Sequence, residues 1–381
     1  PGPLSIPLTE GRHELTLTAL QEPVAIREIR LYLPDPIPGY EQVKREYEAQ
    51  GFRTVRQAGI KVQAEDATEK SDPVIHAVAD TDPMSEPRSP AVEKLNTIGG
   101  YVWRNPGQSA SWSFEVPESG LYQLGMRYGQ YFHRGVPSYR SIRIDGRYPF
   151  KELQLYAFPY KENNRNWTFT WLTDAETSEP FLFYLDKGEH VLTMDVQLGP
   201  LGEAIGSVEA IVKRLGELQR EMTAITGPEP DPNLNYDLEN RLPQLIPEMK
   251  ALSAQLKEAY DRLVVHLGAD RTSNDLDILR ITSEEISSLA ANAETLPKRL
   301  DQWIGTQSNL ASWLLTAAEQ PLQLDYFLLA SQGAPTPKAS ASLLSMAKAT
   351  VHNFLLSFTK DYKSVGSYYG ETGEATVLNV W

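Results

Sequence analysis

Ser111-Trp112-Ser113-Phe114-Glu115-Val116 places an apolar side chain at every second position, the alternation of a strand with one buried face. Trp112, Phe114 and Val116 then share the core side, and Tyr122, Leu124 and Met126 read the same way a few residues on. Working outward, short alternating runs recur at Ile60–Ala64, Tyr122–Tyr128, Ser141–Ile144, Pro180–Leu185 and His190–Val196, with turn residues between them. That spacing predicts an antiparallel β-sandwich over residues 60–202.

The pattern changes after Gly202. Glu203–Thr226 has helical periodicity and stops at Gly227-Pro228, a natural terminator. Tyr236–Leu267, Thr272–Leu296 and Pro297–Thr316 read as further helices, with Pro297 suited to a first turn. In Lys338–Thr359, Leu343, Ala347, Val351, Phe354 and Phe358 fall on one stripe, as a core-facing helix requires. Gln323–Leu329 between them reads as extended. The expectation is a mixed β and α chain of several domains: a sandwich followed by an α-helical bundle over 203–362.

Upstream, Gly11-Arg12-His13-Glu14-Leu15-Thr16-Leu17 matches Gly188-Glu189-His190-Val191-Leu192-Thr193-Met194. Each is followed by a second apolar segment, Val24–Ile29 in one case and Ile205–Ile211 in the other. Residues 1–38 are therefore expected to be the closing strands of a preceding sandwich, with His13 and His190 in equivalent structural positions. Residues 39–59 read as a linker or short helix, and 363–381 as a linker ending in the strand-like Thr376–Trp381.

The 381 residues carry 36 Lys and Arg against 50 Asp and Glu, a net charge of -14. Nucleic acid and anionic membrane both require a basic face that releases counterions, so neither partner is expected. There is no apolar run of about 18 residues, so no membrane insertion is expected of this stretch. The absence of cysteine excludes disulfides, thiolate metal sites and cysteine nucleophiles. No phosphate-binding loop, dinucleotide-binding glycine pattern, metalloprotease motif or nucleophile elbow occurs, and the six histidines are scattered singly. A pair of carboxylates would suffice for glycoside hydrolysis. Asp145, Glu152, Glu162 and Asp174 are available, yet nothing in the sequence singles them out.

The informative feature is aromatic crowding from Tyr128 to Trp171, partly in segments too polar and too rich in Pro and Gly to be strands. Sugar rings present apolar C–H faces that stack on aromatic rings, with polar neighbours taking the hydroxyls. Tyr131, Phe132, Tyr139, Arg140, Tyr156, Tyr160 and Trp167 are the candidate carbohydrate-binding residues. Core filling is the competing role for the same rings. Glu65 and Asp66 at the first strand, with Glu209 on the segment read as the last, form a candidate calcium site of hard oxygen ligands.

Ala64-Glu65-Asp66-Ala67, Gly99-Gly100-Tyr101-Val102-Trp103, Val116-Pro117-Glu118-Ser119-Gly120-Leu121-Tyr122 and Asp186-Lys187-Gly188-Glu189-His190 resemble a carbohydrate-binding module of the family-6 and family-35 type. Together with Tyr139–Gly146, Thr226–Asp231, Pro321–Tyr326 and Ser357–Tyr362, they resemble the region ahead of the binding lobe in large extracellular solute-binding lipoproteins of Paenibacillus-like bacteria. Leu378-Asn379-Val380-Trp381 is similar to the strand that opens that lobe. The resemblance implies a jelly-roll sandwich and a non-catalytic, cell-surface role in capturing oligosaccharide or polysaccharide for an ABC importer. The implied partners are the sugar, the solute-binding lobe of the same polypeptide and the permease. Such modules often close with an Asp calcium ligand in the last strand, where this reading places Glu209. A stalk or assembly platform, and the accessory region of a surface glycosidase, are the alternatives.

Overall fold

The computed structural model describes residues 10–16, 25–29, 31, 36–56, 59–88, 92–132, 135–161, 167–267, 274–341 and 361–365. The first elements are α1 (Tyr40–Ala49), β1 (Gly59–Gln63), a 3-10 turn at Ala64–Asp66, β2 (Glu69–Lys70), β3 (Ala77–Val78), β4 (Val92–Glu93) and β5 (Thr97–Gly100). The long strands follow: β6 (Ser109–Val116), β7 (Gly120–Gly129), β8 (Ser138–Ile144), β9 (Tyr156–Phe158), β10 (Thr168–Trp171), β11 (Leu182–Leu185) and β12 (Gly188–Gln197). Helices α2 (Leu201–Thr226), α3 (Leu238–Arg241), α4 (Leu245–Leu267), α5 (Asn274–Leu289) and α6 (Leu300–Ala317) come next, then β13 (Leu322–Ala330) and β14 (Asp361–Val365).

Two sheets face each other. One has seven strands, with β13 between β7 and β5, β10 and β11 on the far side of β7, and β1 also paired to β13. The other runs β2-β6-β12-β8-β9. β14 pairs with β4 in a separate parallel ladder. The alternation quoted above does what its period demands: Trp112, Phe114 and Val116 are buried against the opposite sheet. Trp112 meets Phe327 of β13 edge-on at 6.0 Å and donates its indole N–H to the Ala64 carbonyl at 2.8 Å. β7 is buried along its whole length, because its second face is covered as well.

The helices bury residues at helical spacing: Leu201, Ile205, Val208, Ile211, Leu215, Leu218 and Met222 form the inner stripe of α2. They share one core with Leu256 and Leu263 of α4 and with Trp303, Leu310 and Trp313 of α6. Gly227 ends α2 at φ 79, and Pro247 sits in the first turn of α4, where a missing N–H costs no hydrogen bond.

The domain boundaries differ from the expectation in one consequential way. The bundle follows β12 as expected, but the chain then returns to the sandwich, so the bundle is an insertion in it. β13, inside the range 203–362 read as helical, is an interior strand of the seven-stranded sheet, antiparallel to β7, β5 and β1. The sandwich therefore comprises residues 59–197 together with 322–330. A strand buried on both faces reads as a nearly continuous apolar run without a period of two, so Leu322–Ala330 carries no mark of its partners. Ile205–Ile211, read as a strand completing a repeat, belongs to α2; a seven-residue apolar window does not separate the two periods.

Residues 10–16 and 25–29 are not in strands, and the rest of the proposed upstream hairpin lies outside the described residues. Lys338–Ala341 is irregular rather than helical, and the remainder of the expected helix to Thr359 lies outside them too, as does Thr376–Trp381. The 39–59 segment is more than a linker. Tyr40 and Val43 of α1 enter the sandwich core, and the Tyr40 hydroxyl accepts the Leu182 amide at 2.9 Å.

Candidate functional site

The bundle is rooted at one end of the sandwich, the end that also gathers most of the aromatic residues singled out above. The root is built from carbonyl oxygens and buried donors. Ser138 Oγ donates to the Pro321 carbonyl at 2.5 Å, and the Gln320 amide donates to the Arg104 carbonyl at 2.7 Å. The fully buried guanidinium of Arg140 donates to the carbonyls of Tyr139, Trp103 and Gln320 at 2.8–3.2 Å and lies over the Trp103 ring at 4.6 Å. Burial lowers the pKa of Arg140. The side chain joins β8 to the chain leaving the bundle.

Of the seven residues expected to contact sugar, three are enclosed: Tyr139 is 7% exposed, Arg140 0% and Trp167 3%. They therefore present no open face to a ligand. Tyr156 is half-buried, accepts the Thr173 amide through its hydroxyl at 3.1 Å and packs edge-on to Phe158. Tyr160 is half-buried beside residues 162–166, which lie outside the described residues.

Tyr131 and Phe132 are half-buried and stack at 4.3 Å with 22° between their planes. Tyr131 donates its hydroxyl to Gln323 Oε1 at 2.6 Å, which fixes its ring relative to β13. Tyr101, 60% exposed, meets Phe132 edge-on at 5.0 Å. Gly100, at φ 66, lets the Phe132 ring approach; a Cβ there would sit 3.0 Å from it. The three rings form an aromatic strip that is open at Tyr101, and the Arg104 guanidinium lies 5.5 Å from the Tyr101 ring centre. Tyr101 was missed among the candidate residues, although the Gly99-Gly100 pair ahead of it marks a turn that would project it.

Trp167 serves a different structure. The Arg127 guanidinium lies 4.5 Å from its ring, and its indole N–H donates to Asp80 at 3.2 Å. Arg127 is fully buried on the outer side of β7. It pairs with Asp325 and with Asp82 (2.9 Å), and donates to Ser85 Oγ (2.9 Å) and the Ala339 carbonyl (2.8 Å). This network and a cluster of Phe169, Trp171, Tyr326 and Ala330 are covered by residues 331–341.

Of the expected calcium ligands, Glu209 does not join Glu65 and Asp66. Glu209 is exposed on the outer side of α2, and among the described residues no three His, Asp or Glu side chains form a group that could hold a metal ion. A carboxylate outside that set, Asp325, lies near enough to Glu65 for its charge to act on it. Glu65 lies in the 3-10 turn packed on β13, and Asp325 sits at the bulge in β13. Both buried oxygens of Glu65 lack a partner from any other residue, as does Oδ1 of Asp325 and Oε1 of Gln63. Burial, then the charges of Asp66 and Asp325, push the Glu65 pKa up to about 8. Burial likewise raises Asp325 to about 6 against the opposing pull of Arg127. Orphaned buried carboxylate oxygens are rare in folded proteins, and a hard cation is what such oxygens suit. Asp325 was missed because its strand was placed outside the sandwich; the visible signal was one charge inside the apolar run Leu322–Ala330.

Residues 203–319 match the family described as bacterial solute-binding protein, 4-helix bundle domain. No curated protein matches the chain. Among solved structures it is similar to a cycloisomaltooligosaccharide glucanotransferase of Paenibacillus sp. at 15% identity and TM-score 0.28, covering 42% of this chain and 20% of that one. It is also similar to a family 35 carbohydrate binding module from Clostridium thermocellum at 16% identity and TM-score 0.26, covering 37% and 87%. A GH26-CBM35 β-(1,4)-mannanase of Podospora anserina gives 14% identity and TM-score 0.25, covering 37% and 25%. The chain thus spans a fifth to a quarter of the two enzymes. Likeness at this level assigns neither ligand nor activity to this chain.

Proposed function

We propose that this chain is the carbohydrate-recognition and scaffold region of an extracellular solute-binding lipoprotein, holding oligosaccharide or polysaccharide for an ABC permease. The observation that carries the reading is the aromatic strip Tyr101–Phe132–Tyr131, open at Tyr101, on a sandwich rooted to a helical region of the solute-binding type. A pyranose ring stacks on Tyr101 and Phe132, and Arg104 supplies donors to its hydroxyls.

The role is recognition without catalysis. The carboxylates available for hydrolysis are committed to holding backbone: Asp145 takes the Val191 amide, Glu152 the Tyr40 amide, and Asp174 the amides of Glu176 and Thr177. Glu162 lies outside the described residues.

A glycan array with the full chain, followed by calorimetry on the best ligand, tests the reading. Replacing both Tyr101 and Phe132 by Ala should weaken binding by about 1–3 kcal/mol, roughly ten- to hundredfold in Kd, with little change in melting temperature. The enclosed Tyr139, Arg140 and Trp167 favour a second reading, in which the unit is only a rigid platform. An array without a hit, or a double variant with unchanged affinity, decides for that platform.

Calcium is proposed as a structural cation held by Glu65 and Asp325. A carboxylate whose folded pKa is raised opposes folding once ionised, so stability is present at low pH and is lost as pH rises from about 5 to about 8. In chelator the melting temperature should fall across that window, and millimolar calcium should remove the fall, because only the folded state assembles the ligands. Glu65→Gln should flatten the slope and abolish the calcium response. A wild-type melt that ignores both chelator and pH removes this part of the proposal.

A further inference from the structure

A cavity lies at the opposite end of the sandwich from the bundle, at the other end of the ten-residue strand β7 and so about 30 Å away. Its volume is about 420 Å³, within the range of small-molecule sites. Two turns build it. After Ile144 the chain reverses through Asp145 and Gly146, both in the left-handed region at φ 52 and φ 75, and returns at Arg147. The β11–β12 turn supplies Asp186 opposite.

His190 clasps the two turns. Its Nδ1 bonds Asp145 Oδ2 at 2.7 Å and its Nε2 bonds the Asp186 carbonyl at 2.8 Å. Both ring nitrogens are engaged, so His190 shapes the cavity without being available to a ligand. Tyr184 is fixed on one face by the Phe52 ring, stacked at 3.7 Å and 11°, and its hydroxyl donates to Asp186 Oδ1 at 3.0 Å. Tyr47 of α1 lines a third side, and the buried Ile144, Phe183 and Leu185 form an apolar floor.

The electrostatics select the ligand class. Asp145 and Asp186 at the rim oppose an anion. The exposed guanidinium of Arg147, which pairs with none of the described residues, opposes a cation and offers donors with no present acceptor. An uncharged ligand with an apolar face and vicinal hydroxyls satisfies the floor, the carboxylates and the guanidinium together.

We propose that this cavity is a second saccharide site, taking a neutral pyranose chain independently of the aromatic strip at the bundle end. The ligand class rests on the reading of the chain as a sugar-binding unit; the site itself rests on the geometry of the two turns. Two sites at opposite ends of one rigid sandwich would engage separate chains, or distant stretches of one polysaccharide, and so raise avidity without further contacts.

The test is calorimetry on the full chain with maltoheptaose, cellohexaose, xylohexaose and mannohexaose as probes. The variants are Arg147→Ala, Asp186→Asn and the Tyr101→Ala/Phe132→Ala pair. Arg147 and Asp186 are exposed, so melting temperatures should hold. In the Tyr101→Ala/Phe132→Ala background one binding event should remain, and adding Arg147→Ala or Asp186→Asn should weaken it about tenfold or more, the scale of a lost charged hydrogen bond. If the aromatic pair alone removes all binding, or if Arg147→Ala and Asp186→Asn retain wild-type affinity, the second site is overturned and the aromatic strip stands. If only the Arg147 and Asp186 variants lose binding, the second site stands and the strip is the one overturned. A wild type that binds no probe overturns both.

Discussion

A chain ending at Gln320 is expected to have no folded sandwich, although it retains every strand from β1 to β12. β13 contributes Leu322, Leu324, Phe327 and Leu329 to the sandwich core and forms the backbone ladder shared by β7, β5 and β1. Losing a single large core side chain costs about 2–5 kcal/mol, so losing four, about 8–20 kcal/mol, is as large as the whole stability of a typical domain, about 5–15 kcal/mol. The strand edges left behind on β7, β5 and β1 would favour aggregation. A chain ending at Ala341 should keep a cooperative melt and a native near-ultraviolet spectrum, and the shorter chain should show neither. Replacing Leu201–Glu319 by a short Gly-Ser loop should preserve the sandwich, because both ends of the bundle meet β8 at Tyr139. Tyr139 pairs with Gln197 at the close of β12, and its amide donates to Gln320 Oε1 at 3.2 Å. A chain ending at Gln320 that melts cooperatively would refute the interrupted-sandwich topology.

Arg127→Met should destabilise the protein by about 3–5 kcal/mol in urea denaturation, the usual scale for stranding one partner of a buried ion pair. Asp325 and Asp82 would lose their counter-charge, Ser85 and the Ala339 carbonyl a donor, and the Trp167 ring its cation. The loss should be larger at pH 8 than at pH 5. Asp325 is already raised to about 6 by burial, removal of Arg127 raises it further, and protonation at low pH relieves the stranded charge. Adding Asp325→Asn should recover part of the loss, since the penalty lies mainly in an unpaired buried charge. A loss below about 1 kcal/mol at both pH values would show that water reaches this network and that it does not hold residues 331–341 in place.

The contrast between Trp112 and Trp167 shows what local pattern can and cannot assign. Trp112 sits in a clean alternation, and its burial follows from the period alone. Trp167 sits in a polar, irregular stretch that reads as an exposed loop. It is nevertheless enclosed, because Arg127 and Asp80 arrive from β7 and from the segment after β3. Tyr131 and Phe132, from an equally irregular segment, are only half-buried, and Tyr131 is tied to β13 through its bond to Gln323.

The type of the long strands and of most helices, the core face of β6 and β7, the helical stripe of α2 and the absence of thiol chemistry follow from residue order. Each depends on a period, a composition or a missing residue type, and these are local quantities. The pairing of β13 into a sheet begun about 260 residues earlier, the approach of Asp325 to Glu65, the clasp of His190 on two turns and the choice of which aromatic ring stays open came only with the folded chain. Each depends on contacts between segments far apart in sequence. A β-strand records which of its faces is buried, but nothing in its own residues records which neighbours bury it.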